Sequence, residues 1–164
     1  MKIGVISDIH IPVATKSLPP KVLELFKQCD LIVHAGDAVE RSVIDTLRSI
    51  KETVAVHGNM DSLELKNTLP LKAVFVAEGK NIGVTHGHGV ADDILDAVAG
   101  VFKKQKLDII IFGHSHKPFK KIVNGVLYFN PGSVSDVVHA PYRSVGIIEI
   151  KDGKIRSEIV KIDQ

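Results

Sequence analysis

The sequence has one cysteine, almost no excess charge and no long hydrophobic run. The single thiol, Cys29, excludes an intrachain disulfide and a thiolate metal site, and it suits a reducing compartment. A net charge of +2 with scattered lysines lacks the strongly basic surface of many nucleic-acid-binding proteins. No apolar stretch reaches the roughly 20 residues that a membrane helix needs, and no signal-peptide core is present. We therefore expect a soluble cytoplasmic protein without a membrane segment.

The 164 residues, 45% hydrophobic and 24% charged, have the size and composition of a globular domain. A chain of this length buries roughly 70% of its unfolded surface, which is enough for one hydrophobic core. We expect residues 1–164 to form a single domain without a linker or a disordered region.

Strand-like and helix-like segments alternate in the first part of the chain. Nine short apolar runs predict strands, and three segments with apolar residues three and four positions apart predict helices. The dipeptides Glu78-Gly79, Asn124-Gly125 and Asp152-Gly153 are typical of hairpin turns, so the second half should be mostly antiparallel. Together these patterns predict an α/β domain with a mixed sheet, or a pair of sheets, covered by helices. The predicted strands are residues 2–6, 31–34, 53–57, 72–77, 81–85, 108–112, 126–129, 145–150 and 154–159, and the predicted helices contain Val22, Leu25 and Phe26, then Val43, Ile44 and Leu47, then Ile94, Leu95, Val98, Val101 and Phe102.

A residue type that binds metals follows each central predicted strand. Open α/β sheets bind ligands beyond the carboxyl ends of their strands, so we expect these side chains to meet at one edge. Asp8 and His10, like His114 and His116, are two positions apart, which lets both side chains reach one region. The seven candidate ligands are Asp8, His10, Asp37, Asn59, His86, His114 and His116.

Each of these fragments alone has an ordinary explanation. Gly36-Asp37 is a common turn dipeptide, Asp8 and His10 also fit a capped or solvated loop, and either histidine pair fits a surface loop. Five clusters at the ends of different strands favour a metal centre instead. Nitrogen and oxygen donors without a thiolate fit Mn²⁺, Zn²⁺, Fe²⁺ or Ni²⁺, and several imidazoles argue against Mg²⁺ and Ca²⁺. We expect two divalent ions of this type, with manganese as the first choice.

Five motifs in chain order resemble those of the calcineurin-like metallophosphoesterase superfamily, and the resemblance covers nearly the whole chain. The short length, Gly87 after His86 and the Asn130-Pro131-Gly132-Ser133 segment are most similar to the small prokaryotic phosphodiesterase branch. The resemblance implies two mixed β-sheets packed as a sandwich and flanked by helices. The motifs are Asp8-x-His10, Gly36-Asp37, Gly58-Asn59-x-Asp61, His86-Gly87-His88 and Gly113-His114-x-His116.

The resemblance also implies a site with two metal ions. Two cations about 3.5 to 4 Å apart would share a water nucleophile and bind phosphoryl oxygens during an in-line displacement. The expected activity is hydrolysis of small phosphodiesters, with Asp37 and Asn59 among the catalytic residues. One ion is expected between Asp8, His10 and His116, the other between Asn59, His86 and His114, and Asp37 is expected to bridge both.

One position departs from the pattern of larger relatives, which have a histidine after Gly-Asn that is thought to protonate the leaving group. This chain has Met60 there, and a thioether donates no proton, so good leaving groups should be favoured. His88 is the best candidate for a further catalytic residue because it is close to His86, although a supporting or solvated role fits it equally well. His57 and His139 are the other two candidates.

Three more polar residues have supporting roles in this interpretation. Asp61 either orients a neighbouring ligand or closes a turn. Ser133 either faces a phosphate or only shapes its turn. His34 lies inside an apolar strand and is expected to be a hydrogen-bonded core residue.

Two other functions fit the same residues. The superfamily includes a retromer subunit of this size that works mainly by binding proteins, so a non-catalytic scaffold is one alternative. Loss of ligands would favour the scaffold, whereas all seven ligand positions are filled here. A nuclease or phosphomonoesterase on the same core is the other alternative, since weak overall charge disfavours tight binding of nucleic acid without excluding short or cyclic nucleotides. Small α/β enzymes commonly form symmetric dimers, so a homodimer is compatible with the sequence.

Overall fold

The computed structural model describes residues 1–87 and 94–162, which form two five-stranded sheets and four helices. In chain order the elements are β1 (Lys2–Ile6), α1 (Pro20–Lys27), β2 (Leu31–Ala35), α2 (Arg41–Ile50), β3 (Thr53–Val56), α3 (Leu63–Thr68), β4 (Lys72–Ala77), β5 (Lys80–Thr85), α4 (Ile94–Val101), β6 (Ile109–Ile111), β7 (Phe119–Val123), β8 (Val126–Asn130), β9 (Ser144–Lys151) and β10 (Lys154–Lys161). Among the described residues, no helix is long and apolar enough to span a bilayer.

The first sheet has the strand order β10-β9-β1-β2-β3. Strands β1, β2 and β3 are parallel and are connected by α1 and α2, whereas β9 pairs antiparallel with both β1 and β10. Strand β2 is buried along its whole length, and Ile3 and Val5 of β1 are fully buried. Burial on both faces explains why these strands are nearly continuous apolar runs in the sequence.

The second sheet has the order β4-β5-β6-β8-β7. Its inner strands β5, β6 and β8 are parallel, so the expected antiparallel second half is correct only for the other pairs. Val33, Ile109 and Phe129 belong to the apolar core between the two sheets. Helices α1 and α2 cover the first sheet through Phe26 and Leu47, and α4 packs against the second. The predicted sandwich of two mixed sheets flanked by helices is confirmed.

The three predicted hairpin turns connect antiparallel strands, as expected. Glu78-Gly79 joins β4 to β5, Asn124-Gly125 joins β7 to β8, and Asp152-Gly153 joins β9 to β10. All six residues have positive φ angles, between 48° and 81°. Two successive left-handed residues match the twist of the flanking strands, which is why Asn-Gly and Asp-Gly pairs favour such turns.

Two short elements were not among the predicted strands and helices. Strand β7 lies at the edge of the second sheet, and its sequence Phe-Lys-Lys-Ile-Val lacks the apolar alternation of an inner strand. Helix α3 has six residues, too few to show a helical period. Its local signal is Ser62, whose Oγ accepts a hydrogen bond from the N–H of Leu65 at 3.4 Å.

Candidate metal centre

The loops that follow β1, β2, β3, β5 and β6 bring all seven candidate ligands to one edge of the sandwich. The N–H of Asp8 donates to Gly36 O and that of Gly113 to His86 O, both at 3.0 Å, which joins the loops within each sheet. The N–H of His114 donates to the carboxylate of Asp8 at 3.1 and 3.2 Å. This contact joins the two sheets, because Asp8 follows β1 and His114 follows β6.

Asp8, His10 and His116 form the first group of donor atoms. Nε2 of His116 lies 3.4 Å from Oδ1 of Asp8 and 3.3 Å from Nε2 of His10. One donor atom from each residue lies within 4.8 Å of the other two. Asp8 is fully buried and both imidazoles are partly buried. A carboxylate and two imidazoles thus face one small space, which suits a divalent transition-metal ion.

Asn59, His86 and His114 form the second group. Oδ1 of Asn59 lies 3.1 Å from Nε2 of His86 and 3.1 Å from Nδ1 of His114. The two imidazole rings are edge to face, with centroids 5.2 Å apart. One amide oxygen and two imidazole nitrogens are also ligand atoms that divalent transition metals accept.

Asp37 lies between the two groups. Its Oδ2 is 3.2 Å from Nε2 of His86 and 3.9 Å from Nε2 of His10. Its Oδ1 accepts a hydrogen bond from the N–H of Met60 at 2.8 Å. A single carboxylate oxygen therefore faces one imidazole of each group.

The backbone is left-handed at most of the candidate ligands. Nine non-glycine residues of the described chain have positive φ angles, and three of them are the first residues of the hairpin turns. Val39, next to the site, is a fourth, with φ of 78°. Left-handed backbone is unfavourable for residues with a Cβ and is concentrated where surrounding contacts hold a functional arrangement. The other five are candidate ligands with φ from 51° to 69°: Asp8, His10, Asp37, His114 and His116.

The two buried residues Asp37 and His86 shift each other's pKa. Burial would raise the pKa of Asp37, but hydrogen bonds from His86 and from the N–H of Met60 outweigh it and lower this pKa. Burial would lower the pKa of His86, but its hydrogen bond with Asp37 and the nearby carboxylate charges raise it. Nδ1 of His86 lies 2.8 Å from the carbonyl oxygen of Ala35, so Nδ1 donates there and Nε2 is left facing the other ligands.

The carboxylate of Asp61 holds together the loops after β2 and β3. Its Oδ2 accepts hydrogen bonds from the N–H of Asp37 at 3.0 Å and of Gly58 at 2.7 Å. Its Oδ1 accepts one from the N–H of Val39 at 2.7 Å. Asp61 is only 4% exposed, and it satisfies the buried N–H groups of Asp37 and Gly58 and the partly buried N–H of Val39. It both orients the Asp37 loop and closes a turn.

Two glycines allow the backbone to approach the ligands closely. A Cβ at Gly58 would lie 2.2 Å from Oδ1 of Asp37, and a Cβ at Gly36 would lie 2.4 Å from Nδ1 of His86. Gly36 also has φ of 95°, which residues with a side chain rarely adopt. These positions are therefore restricted to glycine by the site itself.

Asp136 is the residue of this site that the sequence did not reveal. Its carboxylate accepts a hydrogen bond from Nδ1 of His116, and its Oδ2 lies 3.0 Å from Nδ1 of His139. Hydrogen bonding to Asp8, against the effect of burial and with help from Asp136, raises the pKa of His116 to about 9. Burial would raise the pKa of Asp136, but hydrogen bonds from His116 and from two backbone N–H groups hold it well below its usual range. No local motif marks Asp136, which lies 20 residues from His116.

The turn at residues 130–133 supports the site from within the fold. Oγ of Ser133 donates to the carbonyl oxygen of Asp8 at 2.7 Å and accepts from the N–H of Asp136 at 2.9 Å. Nδ2 of Asn130 donates to the carbonyl oxygen of Gly113 at 2.8 Å. Ser133 and Asn130 are both fully buried. Of the two roles predicted for Ser133, the structure supports the one in shaping the turn.

The remaining histidines and Met60 occupy different places. His34 is buried, burial lowers its pKa, and its Nδ1 accepts from the N–H of Gly36 at 3.4 Å. Its Nε2 has no hydrogen-bond partner among the described residues. Nδ1 of His57 lies 3.3 Å from Gly58 O, and Met60 is 54% exposed. His88, the predicted further catalytic residue, lies outside the described residues.

Comparison with known proteins identifies the family of this chain. A family model described as the calcineurin-like phosphoesterase superfamily domain matches residues 1–153. The chain belongs to this superfamily. Membership of this superfamily implies phosphoester chemistry with divalent metal ions, and Asp8, His10, Asp37, His86 and His116 lie in groups that could hold such ions.

Three relatives of the superfamily are similar over almost the whole chain. A probable metallophosphoesterase of Methanocaldococcus jannaschii is 35% identical over 167 residues, covering 100% of this chain and 83% of that protein. Phosphodiesterase YfcE of Escherichia coli is 30% identical over 188 residues, covering 100% of this chain and 94% of that protein. Vps29 from Entamoeba histolytica, in a crystal structure with Zn²⁺, is 27% identical in sequence and has a TM-score of 0.78. The match covers 99% of this chain and 100% of the Vps29 chain.

Proposed function

We propose that this protein is a metal-dependent phosphodiesterase that hydrolyses small phosphodiesters with water as the nucleophile. The observation that carries the proposal is the position of Asp37, whose Oδ2 faces Nε2 of His10 at 3.9 Å and Nε2 of His86 at 3.2 Å. A carboxylate placed in this way suits two ions that share it. The proposed ligands are Asp8, His10 and His116 for one ion, Asn59, His86 and His114 for the other, and Asp37 for both.

Two imidazoles of the site are oriented by partners outside the two groups of ligands. Nδ1 of His86 is bonded to a backbone carbonyl and Nδ1 of His116 to Asp136, so both rings direct Nε2 toward the carboxylates. The lowered pKa of Asp37 keeps its carboxylate ionised at neutral pH. When bound, divalent ions at such a site act as Lewis acids on phosphoryl oxygens and lower the pKa of water.

The proposed preference for diesters with good leaving groups rests on Met60. Its thioether donates no proton, and its N–H is already bonded to Oδ1 of Asp37 at 2.8 Å. The relative YfcE is named a phosphodiesterase, which supports a diester rather than a monoester as substrate. Asn59 and His88 remain predicted catalytic residues together with Asp37.

We keep manganese as the first choice of ion, since the carboxylate and amide oxygens of Asp8, Asp37 and Asn59 suit it, although the imidazoles suit zinc, iron and nickel equally well. The Zn²⁺ complex of the similar Vps29 supports zinc as an alternative, and nickel and iron fit the same donors. Metal analysis after loading the chelator-treated protein with each ion separately would rank them.

The proposal is tested by removing and restoring the metal. Chelator-treated protein should not hydrolyse bis(p-nitrophenyl) phosphate, and Mn²⁺ or Ni²⁺ should restore turnover. Asp37→Ala should stay at the rate of the metal-free protein, whereas Asp45→Ala, an exposed aspartate on α2, should behave like wild type. If no metal supports hydrolysis and Asp37→Ala equals wild type, the proposal is wrong. Parallel assays with phosphomonoesters and nucleotides would detect the phosphatase or nuclease alternative.

A non-catalytic scaffold is the second candidate, and the likeness to Vps29 is the observation that favours it. All seven ligand positions are filled in this chain, and each of these side chains lies close to others of the set, which favours the enzyme. Inductively coupled plasma analysis together with the turnover assay separates the two functions. Two equivalents of metal with turnover support the enzyme, whereas empty sites at saturating Mn²⁺, or bound metal without turnover, support the scaffold.

A further inference from the structure

An apolar cavity lies beside the candidate metal centre, between the start of α4 and the connection from β6 to β7. Its volume is about 450 Å³, which is within the range of roughly 300 to 1,000 Å³ for small-molecule sites. Ile94 and Leu95 of α4 form one wall, and Phe112, Pro118 and Phe119 form the other. We refer to it as the Phe112–Phe119 pocket.

The pocket shares two chain segments with the metal centre. Ser115 and Lys117 line the pocket, and they alternate along the chain with His114 and His116, whose ring nitrogens face the other candidate ligands. On the opposite side, Gly87 follows His86, and a Cβ on Gly87 would lie 3.6 Å from Cδ1 of Ile94. The pocket wall is therefore continuous with the segments that hold three candidate ligands.

The lining of the pocket suits an uncharged aromatic group next to an anion. The rings of Phe112 and Phe119 have centroids 6.2 Å apart and are tilted by 55°. Phe112 is only 1% exposed, so the accessible apolar lining comes mainly from Leu95, Pro118 and Phe119, which are partly buried. The lining residues include no carboxylate, and the exposed Lys117 supplies a positive charge at the pocket surface. Oγ of Ser115 accepts from Nδ2 of Asn130 at 3.1 Å, so its O–H can donate to a ligand.

Exposed apolar side chains also occur in the loops of the metal centre. Nine large hydrophobic residues are exposed in the described chain, and several of them lie in the loops of the site. Val13 follows His10 by three positions, Met60 follows Asn59, and Val137 and Val138 follow Asp136. Exposed apolar side chains around a polar centre favour ligands that carry an apolar group beside their charge.

We infer that the Phe112–Phe119 pocket binds an aromatic ester group of the phosphodiester substrate, with Lys117 close to the phosphodiester anion. This inference rests on the proposed function, because it names the class of substrate for the same site. It goes beyond that function in predicting that an aromatic ester group contributes binding energy that a methyl ester lacks.

The test measures binding without turnover. Phenylphosphonate and methylphosphonate contain a carbon–phosphorus bond that phosphoester hydrolysis does not cleave, and they differ only in the group offered to the pocket. Calorimetry with the zinc-loaded protein should give a dissociation constant roughly tenfold lower for phenylphosphonate, as expected for burial of an aromatic ring. In amide-resolved NMR spectra, both phosphonates should shift residues near the metal ligands, and phenylphosphonate alone should shift residues 94–95, 112 and 117–119.

Two variants examine the walls separately. Phe119→Ala and Leu95→Ala should each remove most of the tenfold preference while leaving methylphosphonate binding unchanged. Ile122→Ala, on the same strand as Phe119 but 69% exposed, is the matched control and should keep the preference. Three results would overturn the inference: equal affinities for the two phosphonates, undetectable binding of both, or a preference that persists in both pocket variants. Metal-dependent hydrolysis measured in the same preparations shows whether the proposed function stands when the pocket does not.

Discussion

Asp136 accepts a hydrogen bond from Nδ1 of His116, while Nε2 of the same ring lies 3.4 Å from Oδ1 of Asp8. The imidazole is thus held between two carboxylates of different kinds. Asp8 is a candidate metal ligand, and Asp136 is fixed by hydrogen bonds from the backbone N–H groups of Val138 at 2.7 Å and His139 at 3.1 Å. A carboxylate behind a ligating histidine fixes the proton on Nδ1 and aims Nε2 at the metal.

Replacement of Asp136 should weaken metal binding on the His116 side. Asp136→Ala should lower the affinity for one ion roughly 10- to 100-fold, because His116 loses the partner that orients its ring. Asp136→Asn should lose less, since an amide oxygen still accepts from Nδ1. Calorimetric titration of chelator-treated protein measures both affinities, with Asp45→Ala as the control. Unchanged binding in Asp136→Ala would show that His116 needs no such partner.

The metal-free protein should become less stable as the pH rises above neutrality. The pKa of His116 is raised to about 9 from the ordinary value of 6.5, so its protonation favours the folded state. This stabilisation is complete below about pH 6.5 and is lost as the pH rises through about 9. The raised pKa of His86 acts with the same sign. Urea unfolding with chelator at pH 6, 7.5 and 9 measures the trend, which His116→Asn should reduce; stability that rises with pH would contradict it.

Removal of Asp61 should destabilise the fold and the site together. Asp61→Ala leaves two buried N–H donors and one partly buried N–H donor without a partner, so we expect a loss of about 3 kcal/mol or more in the free energy of unfolding. Asp61→Asn keeps one acceptor oxygen and should lose roughly half as much. Denaturant unfolding of the metal-free proteins gives both values. A loss below about 1 kcal/mol in Asp61→Ala would mean that water replaces the carboxylate.

A methyl group at Gly58 should disturb the site more than the fold. The new Cβ would lie 2.2 Å from Oδ1 of Asp37, so the carboxylate must move and metal affinity should fall. Gly100→Ala is the matched control, since its nearest neighbour is the flexible Lys103 side chain at 3.8 Å and alanine favours a helix. Circular dichroism and metal titration are compared for both variants. Wild-type metal affinity in Gly58→Ala would contradict the close approach seen here.

The strands and the candidate ligands were predictable because their signals are local. Apolar runs such as residues 2–6 and 31–34 mark strands wherever they lie in the sheet, and a polar residue directly after such a run marks its end. The hairpin dipeptides predicted the antiparallel pairs because a tight turn is also a local signal. The parallel pairing of β6 with β8 was not predicted, because it depends on which distant strand fills the neighbouring position.

The missed elements carry weak or non-local signals. Strand β7 is exposed over most of its length, so its lysines reduce the apolar pattern, and α3 is shorter than two helical turns. Asp136 is placed at the site through Ser133, which bonds both the carbonyl of Asp8 and the N–H of Asp136, and through its own contact with His116. Such a connection between residues more than 120 positions apart in the chain has no sequence pattern.

By itself the sequence determined which side chains have atoms that can bind metal and where the strands before them end. Both properties are local, because they depend only on the residue type and on the apolar pattern of one segment. The tertiary structure alone decided which donors face each other. Asn59 meets His86 across 27 residues of chain and His10 meets His116 across 106, and Asp37 lies between these pairs only because the two sheets pack face to face. Because the two sheets pack against each other, candidate ligands from separate loops meet in one candidate metal centre.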